Sequence, residues 1–232
     1  MATPVIRVVD LWKEYVDEGQ SPVAALRGAN LEINAGESVA LFGKSGSGKT
    51  TLLNMLAGLD RPTRGRIEIE GQHLEGMGEA GRTLLRRLRL GFVFQFFNLL
   101  PTLTAFENVF LSLELAGRQD TAAARDALAA VGLGGKESRY PHELSGGEQQ
   151  RVAIARAIVK KPVMILADEP TGNLDTATGN QILDLLTREC KEFGTTLIMV
   201  THTQLTCRFA DRVLHMVDGS VHEKDSCDAE HF

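Results

Sequence analysis

Residues 43–50 read Gly-Lys-Ser-Gly-Ser-Gly-Lys-Thr, follow an apolar run at 39–42 and open the apolar-rich stretch 50–57. This GxxxxGK[ST] spacing, set between a buried strand and a helix, constrains the chain more than any other feature. Glycines let such a loop curl until its backbone N–H groups point inward at phosphate oxygens, and the positive end of the following helix dipole adds to the attraction. The residues of the cradle are Gly43, Lys44, Ser45, Gly46, Ser47 and Gly48. Lys49 can reach the β- and γ-phosphates of a nucleotide, and the Thr50 hydroxyl can bind Mg²⁺.

Three further runs, 92–94, 163–167 and 197–200, are continuously apolar, as strands buried on both faces of a parallel sheet are. Each of the four runs stops at polar residues: Gly43 onward, Gln95, Asp168 with Glu169, and Thr201 with His202. Open α/β sheets bind ligands at the carboxyl ends of their strands, so these ends point to one shared site. Asp168 is placed to hold Mg²⁺ through water, and Glu169 to polarise a water in line with the γ-phosphate as general base. Alone, an exposed acidic pair at a strand end explains them equally well; beside a phosphate loop the functional reading dominates.

Residues 5–9, 31–33 and 66–70 read as strands of a small, largely antiparallel sheet. Helices are expected over 50–57, 121–131, 148–160 and 178–193, stopping at Gly58, Gly132 and, for the last, Gly194. Apolar residues at 152, 154, 155, 158 and 159 give the third of them one buried face. The stretch 96–157 is helical without a strong strand and reads as an insertion between core strands. The tail from Asp218 is polar and is expected to fray after Lys224.

The 232 residues suffice for a substantial core, and 43% hydrophobic with 24% charged residues excludes a disordered tail, a collagen-like fibre or a coiled coil. Lys and Arg total 25 against 30 Asp and Glu, a net charge of −5 that disfavours duplex nucleic acid as a partner. The start lacks a signal-peptide pattern and no window nears the ~18 apolar residues that span a bilayer, so a protein soluble by itself is expected. Cys190, Cys207 and Cys227 are odd in number and form no CxxC pair, which suggests a reducing compartment and buried or idle thiols instead of zinc.

Residues 144–151, Leu-Ser-Gly-Gly-Glu-Gln-Gln-Arg, carry the decisive resemblance: the chain resembles the ATP-binding cassette (ABC) family across about residues 5–222. Ser145 and Glu148 can form a capping box, and Gly146 and Gly147 leave N–H groups open at a helix start, a second anion site. A capped structural helix explains the Ser and Glu, but not the paired glycines. The resemblance implies an α/β fold with a P-loop NTPase core and parallel sheet, an antiparallel β subdomain and a helical subdomain. It implies one ABC ATPase domain over 1–232: core about 1–95 and 158–222, helical subdomain about 96–157, polar tail 223–232. It implies ATP and Mg²⁺ as ligands, with Thr51 beside the cradle residues, and a head-to-tail dimer in which Ser145, Gly146, Gly147 and Glu148 of one copy close on the γ-phosphate held by the other.

By the same resemblance Tyr15 stacks on adenine, although a half-buried strand tyrosine gives the same signal. Gln95 contacts Mg²⁺ and water, His202 is the switch histidine on the γ-phosphate, and residues 173–175, Asn-Leu-Asp, form the loop crossing the dimer, ending in Asp175. That loop reads Gly-Asn-Leu-Asp where many members have Ser-Ala-Leu-Asp. The runs 166–175 and 95–109 are similar to the lipoprotein-releasing, macrolide-export and cell-division ATPases.

Residues 96–100, Phe-Phe-Asn-Leu-Leu, are too apolar for an exposed loop, and an exposed apolar patch marks an interface. The resemblance implies a groove there for a membrane permease; packing inside the helical insertion is the other reading. The basic run 82–89 reads as a solvated helix face, with Leu84, Leu85 and Leu88 fitting helical packing. The implied function is an ATPase, converting ATP and water to ADP and phosphate, that drives a permease from the cytoplasmic face of the inner membrane. The alternatives are a cell-division cassette regulating wall hydrolysis, or a soluble cassette in repair or translation. The absence of an NKxD motif disfavours a GTPase.

Overall fold

A computed structural model describes residues 4–16 and 21–224. In chain order the elements are β1 (Pro4–Tyr15), β2 (Val23–Asn34), β3 (Ser38–Phe42), α1 (Lys49–Leu56), β4 (Arg64–Ile69), β5 (Gln72–His73), α2 (Glu79–Arg89) and β6 (Leu90–Phe94). There follow α3 (Ala105–Leu115), α4 (Thr121–Ala130), α5 (Gly146–Ile158), β7 (Met164–Asp168), α6 (Thr176–Phe193), β8 (Thr196–Thr201), α7 (Gln204–Cys207), β9 (Arg212–Val217) and β10 (Ser220–Lys224). The chain divides into two compact units, Met1–Leu84 with Ile198–Phe232, and Leu85–Leu197.

The first unit holds an antiparallel sheet ordered β2-β1-β4-β5 and strands ordered β10-β9-β3-β8. β3 runs parallel to β9, and β10 antiparallel to it. Ile6, Val8 and Leu11 of β1, Leu26, Leu31 and Ile33 of β2, and Ile67 and Ile69 of β4 are all buried. β1 bulges between Val8 and Leu11, where Asp10 takes φ +46 and its N–H donates to Asn30 Oδ1 at 2.9 Å. The bulge ends strict alternation and twists the strand on toward Tyr15. The apolar residues of β2, β3, α1, β8 and β9 leave a void of only about 10 Å³, so this core is close-packed.

In the second unit β6 and β7 pair in parallel from Leu90 opposite Met164 to Phe94 opposite Asp168. α3 starts on a capping box of Thr104 and Glu107, and buried Asn108 ties the preceding turn by bonding Leu100 N and the carbonyls of Leu100, Leu103 and Thr104. α5 buries Val152, Ile154, Ala155 and Ile158, with Val159 just beyond, as its apolar spacing predicts. α6 buries Ile182, Leu183, Leu185, Leu186 and Cys190.

The expected helices and strands are present, with ends shifted by a residue or two and β1, β2 longer than their apolar cores. Two points differ. β9 and β10 were not foreseen: the polar stretch from Ser220 pairs with β9 through backbone bonds that need no apolar side chains. In α2 the face reading fails at Arg82, which is 4% exposed and donates to Leu74 O, while Leu84 and Leu88 face solvent and only Leu85 packs. Of the cysteines, Cys190 is a buried thiol that burial pushes up to about 12, and Cys207 is buried. Cys227 and the tail beyond Lys224 lie outside the described residues. Among the described residues no helix is long and apolar enough to cross a membrane.

Candidate functional site

The loop between β3 and α1 is built around two close approaches. A Cβ on Gly43 would sit 2.4 Å from Met216 O, and one on Gly48, at φ +105, 2.4 Å from Ala25 O. Only glycine lets the backbone lie this tightly while turning into the helix. The turn is pinned by bonds from Ser47 N to Lys44 O at 3.2 Å and from Gly219 N to Ser47 O at 3.0 Å. Lys44, Ser45, Gly46 and Thr50 are exposed, whereas Lys49 is 8% exposed. Its ammonium donates to Gly43 O at 2.7 Å and Lys44 O at 2.8 Å, so the charge is held inside the curl by carbonyls of the loop itself. Thr50 and Thr51 open α1, whose N-terminus faces this loop.

Tyr15 ends β1 and is 42% exposed, a placement that fits both a ring open to a base and a half-buried strand tyrosine. Its hydroxyl donates to Asp60 Oδ2 at 3.0 Å. Burial, then the Asp60 carboxylate, raises the phenol above its usual value. Lys13 donates to Asp60 Oδ1 at 2.7 Å and sits over the Tyr15 ring, 4.8 Å from its centre. Lys13, Tyr15 and Asp60 of the first unit thus form one hydrogen-bonded group that ties the end of β1 to the segment after α1. Sequence reasoning missed these two, since a lone Asp and a lone Lys 47 positions apart carry no spacing signal. His202 follows β8 and is exposed. Its neighbours are fixed by a hydroxyl cluster: Thr201, Thr203 and Thr206 Oγ1 atoms lie 3.1–3.2 Å apart, and Thr203 N donates to Thr201 Oγ1 at 3.0 Å.

In the second unit Asp168 closes β7 opposite Phe94, so Glu169 and Gln95 are the next residues beyond paired strand ends. Glu169 has φ +47, a left-handed backbone rare outside glycine and frequent at functional sites. Gln95 lies against residues 172–173. Its Nε2 donates to Asn173 Oδ1 at 3.3 Å, and Asn173 Nδ2 donates to Gln95 O at 2.9 Å. Beneath them Gln150, fully buried in α5, donates from Nε2 to Pro170 O at 2.5 Å and to Phe94 O at 3.4 Å. Gln150 was read only as part of the 144–151 run, without a role of its own.

The Ser145–Glu148 capping box is present: Glu148 N donates to Ser145 Oγ at 3.3 Å and Ser145 N to Glu148 Oε2 at 2.8 Å. Glu148 also pairs with Lys136, which together with the Ser145 N–H holds its carboxyl down to about 2. A Cβ on Gly146 would lie 3.6 Å from Leu174 and 3.7 Å from Phe97, and one on Gly147 only 2.8 Å from the Thr178 methyl. The start of α5 is therefore packed between residues 97, 174 and 178. Asp175 caps α6, accepting from Ala177 N, Thr178 N and Thr178 Oγ1. Nearby, Phe96 is 71% and Leu100 45% exposed, whereas Phe97 and Leu99 are half-buried.

The first unit therefore gathers residues 43–51 and Tyr15, and the second gathers Gln95, Asn173 and the residues of the α5 start. The oxygen donors proposed for a cation, the Thr50 hydroxyl, the Asp168 carboxylate and the Gln95 amide, are hard ligands of the kind Mg²⁺ takes.

Residues 26–172 match the ABC transporter family. A Thermotoga maritima protein described as an uncharacterized ABC transporter ATP-binding protein is 52% identical over 94% of this chain and 93% of its own length. The lipoprotein-releasing system ATP-binding protein LolD of Geobacter metallireducens is 46% identical over 94% and 97%. A solved ATP-binding cassette, a dimer in a post-hydrolysis state bound to ADP and Pi, is 39% identical and superposes with a TM-score of 0.85 over 97% of this chain and 99% of that one. With a glycine-curled loop closing on a buried lysine at one strand end and a glycine-opened, capped helix start at 145–148, this chain belongs to the ABC transporter family as one of its ATP-binding cassettes.

Proposed function

We propose that the chain is the ATP-hydrolysing subunit of a membrane transporter of the lipoprotein-releasing or macrolide-export kind, working as a head-to-tail pair on the cytoplasmic face of the inner membrane. Loop 43–50 holds the phosphates, Lys49 leaving its carbonyl partners for the β- and γ-phosphate oxygens. Tyr15 stacks on the adenine. Thr50, Asp168 and Gln95 hold Mg²⁺, which supplies positive charge to the phosphate oxygens when bound. Glu169 takes a proton from the attacking water, and His202 donates to the γ-phosphate. Ser145, Gly146 and Gly147 of the second copy offer N–H groups to the same phosphate, and residues 173–175 cross to that copy. The exposed Phe96 and Leu100 are where the permease docks.

The observation that carries this reading is the buried Lys49 ammonium, held by two carbonyls of a loop whose residues 44–46 are exposed. Desolvated charge of this kind is retained where it will meet an anion. The relatives' names support a lipoprotein-releasing partner.

The test uses purified Glu169→Gln and capture of the tagged variant from detergent-solubilised membranes, both with ATP and Mg²⁺. The variant is expected to bind ATP, turn over at least ~100-fold more slowly, run as a dimer and bring down a multi-span membrane protein. Near-normal hydrolysis removes Glu169 as the base. Recovery of soluble partners alone removes the transporter and favours a soluble cassette. Lys49→Ala is expected to lose tight nucleotide binding, and unchanged affinity contradicts the cradle.

A further inference from the structure

The crossing loop departs from the common Ser-Ala-Leu-Asp by placing Asn at 173, and the structure puts that side chain on Gln95. We infer that Asn173 is a positioning residue that fixes which end of the Gln95 amide is presented to the metal. The inference rests on the proposed role of Gln95 as a Mg²⁺ ligand.

The orientation follows from one unambiguous anchor. Amide oxygen and nitrogen look alike, but a backbone carbonyl can only accept. Asn173 lies 2.9 Å from Gln95 O, so the Asn173 atom there must be the donor Nδ2. Its other terminal atom is then Oδ1, an acceptor, and the Gln95 atom 3.3 Å from it must be the donor Nε2. The Gln95 amide is thereby set with nitrogen toward Asn173, and Oε1 is the end left to take a cation. A flipped amide would set two oxygens against each other and offer the metal a nitrogen that is already protonated.

The surroundings leave Gln95 little other freedom. A Cβ on Gly172 would lie 2.7 Å from Gln95 Nε2 and 2.9 Å from Cδ, so the side chain rests flat on bare backbone. Gln150 ties the carbonyls of Phe94 and Pro170, just before Gln95 and just after Glu169. Arg156 bonds the carbonyls of Phe97 and Asn98, two consecutive residues at φ +61 and +49. With the backbone fixed on both sides, the remaining variable is the Gln95 side chain, and Asn173 removes it. An alanine at 173 can make neither bond. Because residue 173 belongs to the loop proposed to cross the dimer, displacing that loop would release Gln95 with it.

The test measures metal binding without turnover. Mn²⁺ is titrated into the purified protein carrying a non-hydrolysable ATP analogue and followed by electron paramagnetic resonance, for wild type, Asn173→Ala, Gln95→Ala and the double variant. Asn173 is exposed, so its truncation leaves the fold intact, which a melting curve checks. Asn173→Ala is expected to weaken Mn²⁺ binding roughly tenfold, the usual effect of removing a group that orients a metal ligand, while metal-free nucleotide affinity stays unchanged. The double variant is expected to match Gln95→Ala, since Asn173 acts only through Gln95. Wild-type Mn²⁺ affinity in Asn173→Ala, or additive losses in the double variant, overturns the inference while leaving Gln95 as a ligand. Unchanged affinity in Gln95→Ala overturns both the inference and the metal role on which it stands.

Discussion

The Tyr15 hydroxyl donates a hydrogen bond to Asp60 Oδ2 across 3.0 Å, and the same carboxylate accepts one from Lys13 at 2.7 Å. Burial pushes the Asp60 carboxyl up, but bonds from Lys13, the Arg61 N–H and Tyr15 outweigh it and hold the group below its usual range. If Tyr15 takes the base as proposed, the ring is already held by these bonds, which lowers the ordering cost of binding. Asp60→Ala should raise the KM for ATP roughly fivefold, the worth of about one hydrogen bond, with kcat changed far less. Tyr15→Leu should raise KM at least as much, and the double variant no further. Steady-state kinetics over ATP concentration decide it: a fall in kcat at constant KM would show that Asp60 does not act through the ring.

Gly147 has no room for a methyl group, because the Thr178 methyl already lies 2.8 Å from where it would stand. Overpacking of this kind costs about 1–3 kcal/mol, so Gly147→Ala should lower the melting temperature by several degrees. Thr178→Ser removes the offending methyl yet keeps the hydroxyl that donates to Asp175 at 2.6 Å, so it should restore most of the loss in the double variant. Gly146→Ala meets only ordinary contacts at 3.6 Å and beyond and should melt near wild type. Equal melting temperatures for the two alanine variants would contradict the packing of this helix start.

Glu148 carries a pH signature. Lys136 and the Ser145 N–H hold its carboxyl at about 2 in the folded chain, against about 4.5 unfolded. A carboxylate depressed on folding stabilises above its unfolded value and loses that contribution as pH falls toward the folded one. Glu148→Gln keeps the cap geometry but discards the charge. Its urea midpoint should lie below wild type at pH 7 by an amount worth at most about 1 kcal/mol, since the pair is partly exposed. The gap should close between about pH 4.5 and 2. A gap that persists unchanged to pH 2 would assign it to packing instead of charge.

What could be read from the sequence was whatever a local pattern encodes. The glycine-curled loop at 43–50, the strand ends before Gln95 and at Asp168 and Thr201, and the Ser145–Glu148 cap all follow from adjacent residues, and the structure places these elements where the pattern did. β10 was missed because an edge strand can be polar on every side chain and pair by backbone alone. α2 was misjudged because Arg82 buries its stem and guanidinium in place of Leu84, an inversion that no periodicity announces. Asp60, Gln150 and the Gln95–Asn173 pair were invisible for a different reason. Each joins positions 20 to 78 residues apart, through side-chain contacts that only the fold creates.

The docking reading of residues 96–100 is sharpened by exposure. Phe96, at 71%, and Leu100, at 45%, bury little, whereas Phe97 and Leu99 are half-buried and contribute to packing. Charges at 97 or 99 would therefore confuse unfolding with lost docking. Phe96→Asp with Leu100→Asp avoids this: exposed positions tolerate substitution within about 0.5 kcal/mol, so the melting temperature and the ATPase activity of the isolated chain should match wild type. Mixed with permease-containing membranes, the variant should fail to sediment with them and its activity should no longer respond to their presence, because two carboxylates would have to be desolvated at an apolar contact. A variant that melts normally and still sediments would place the permease elsewhere on the chain, and one that unfolds would show these side chains to be part of the core.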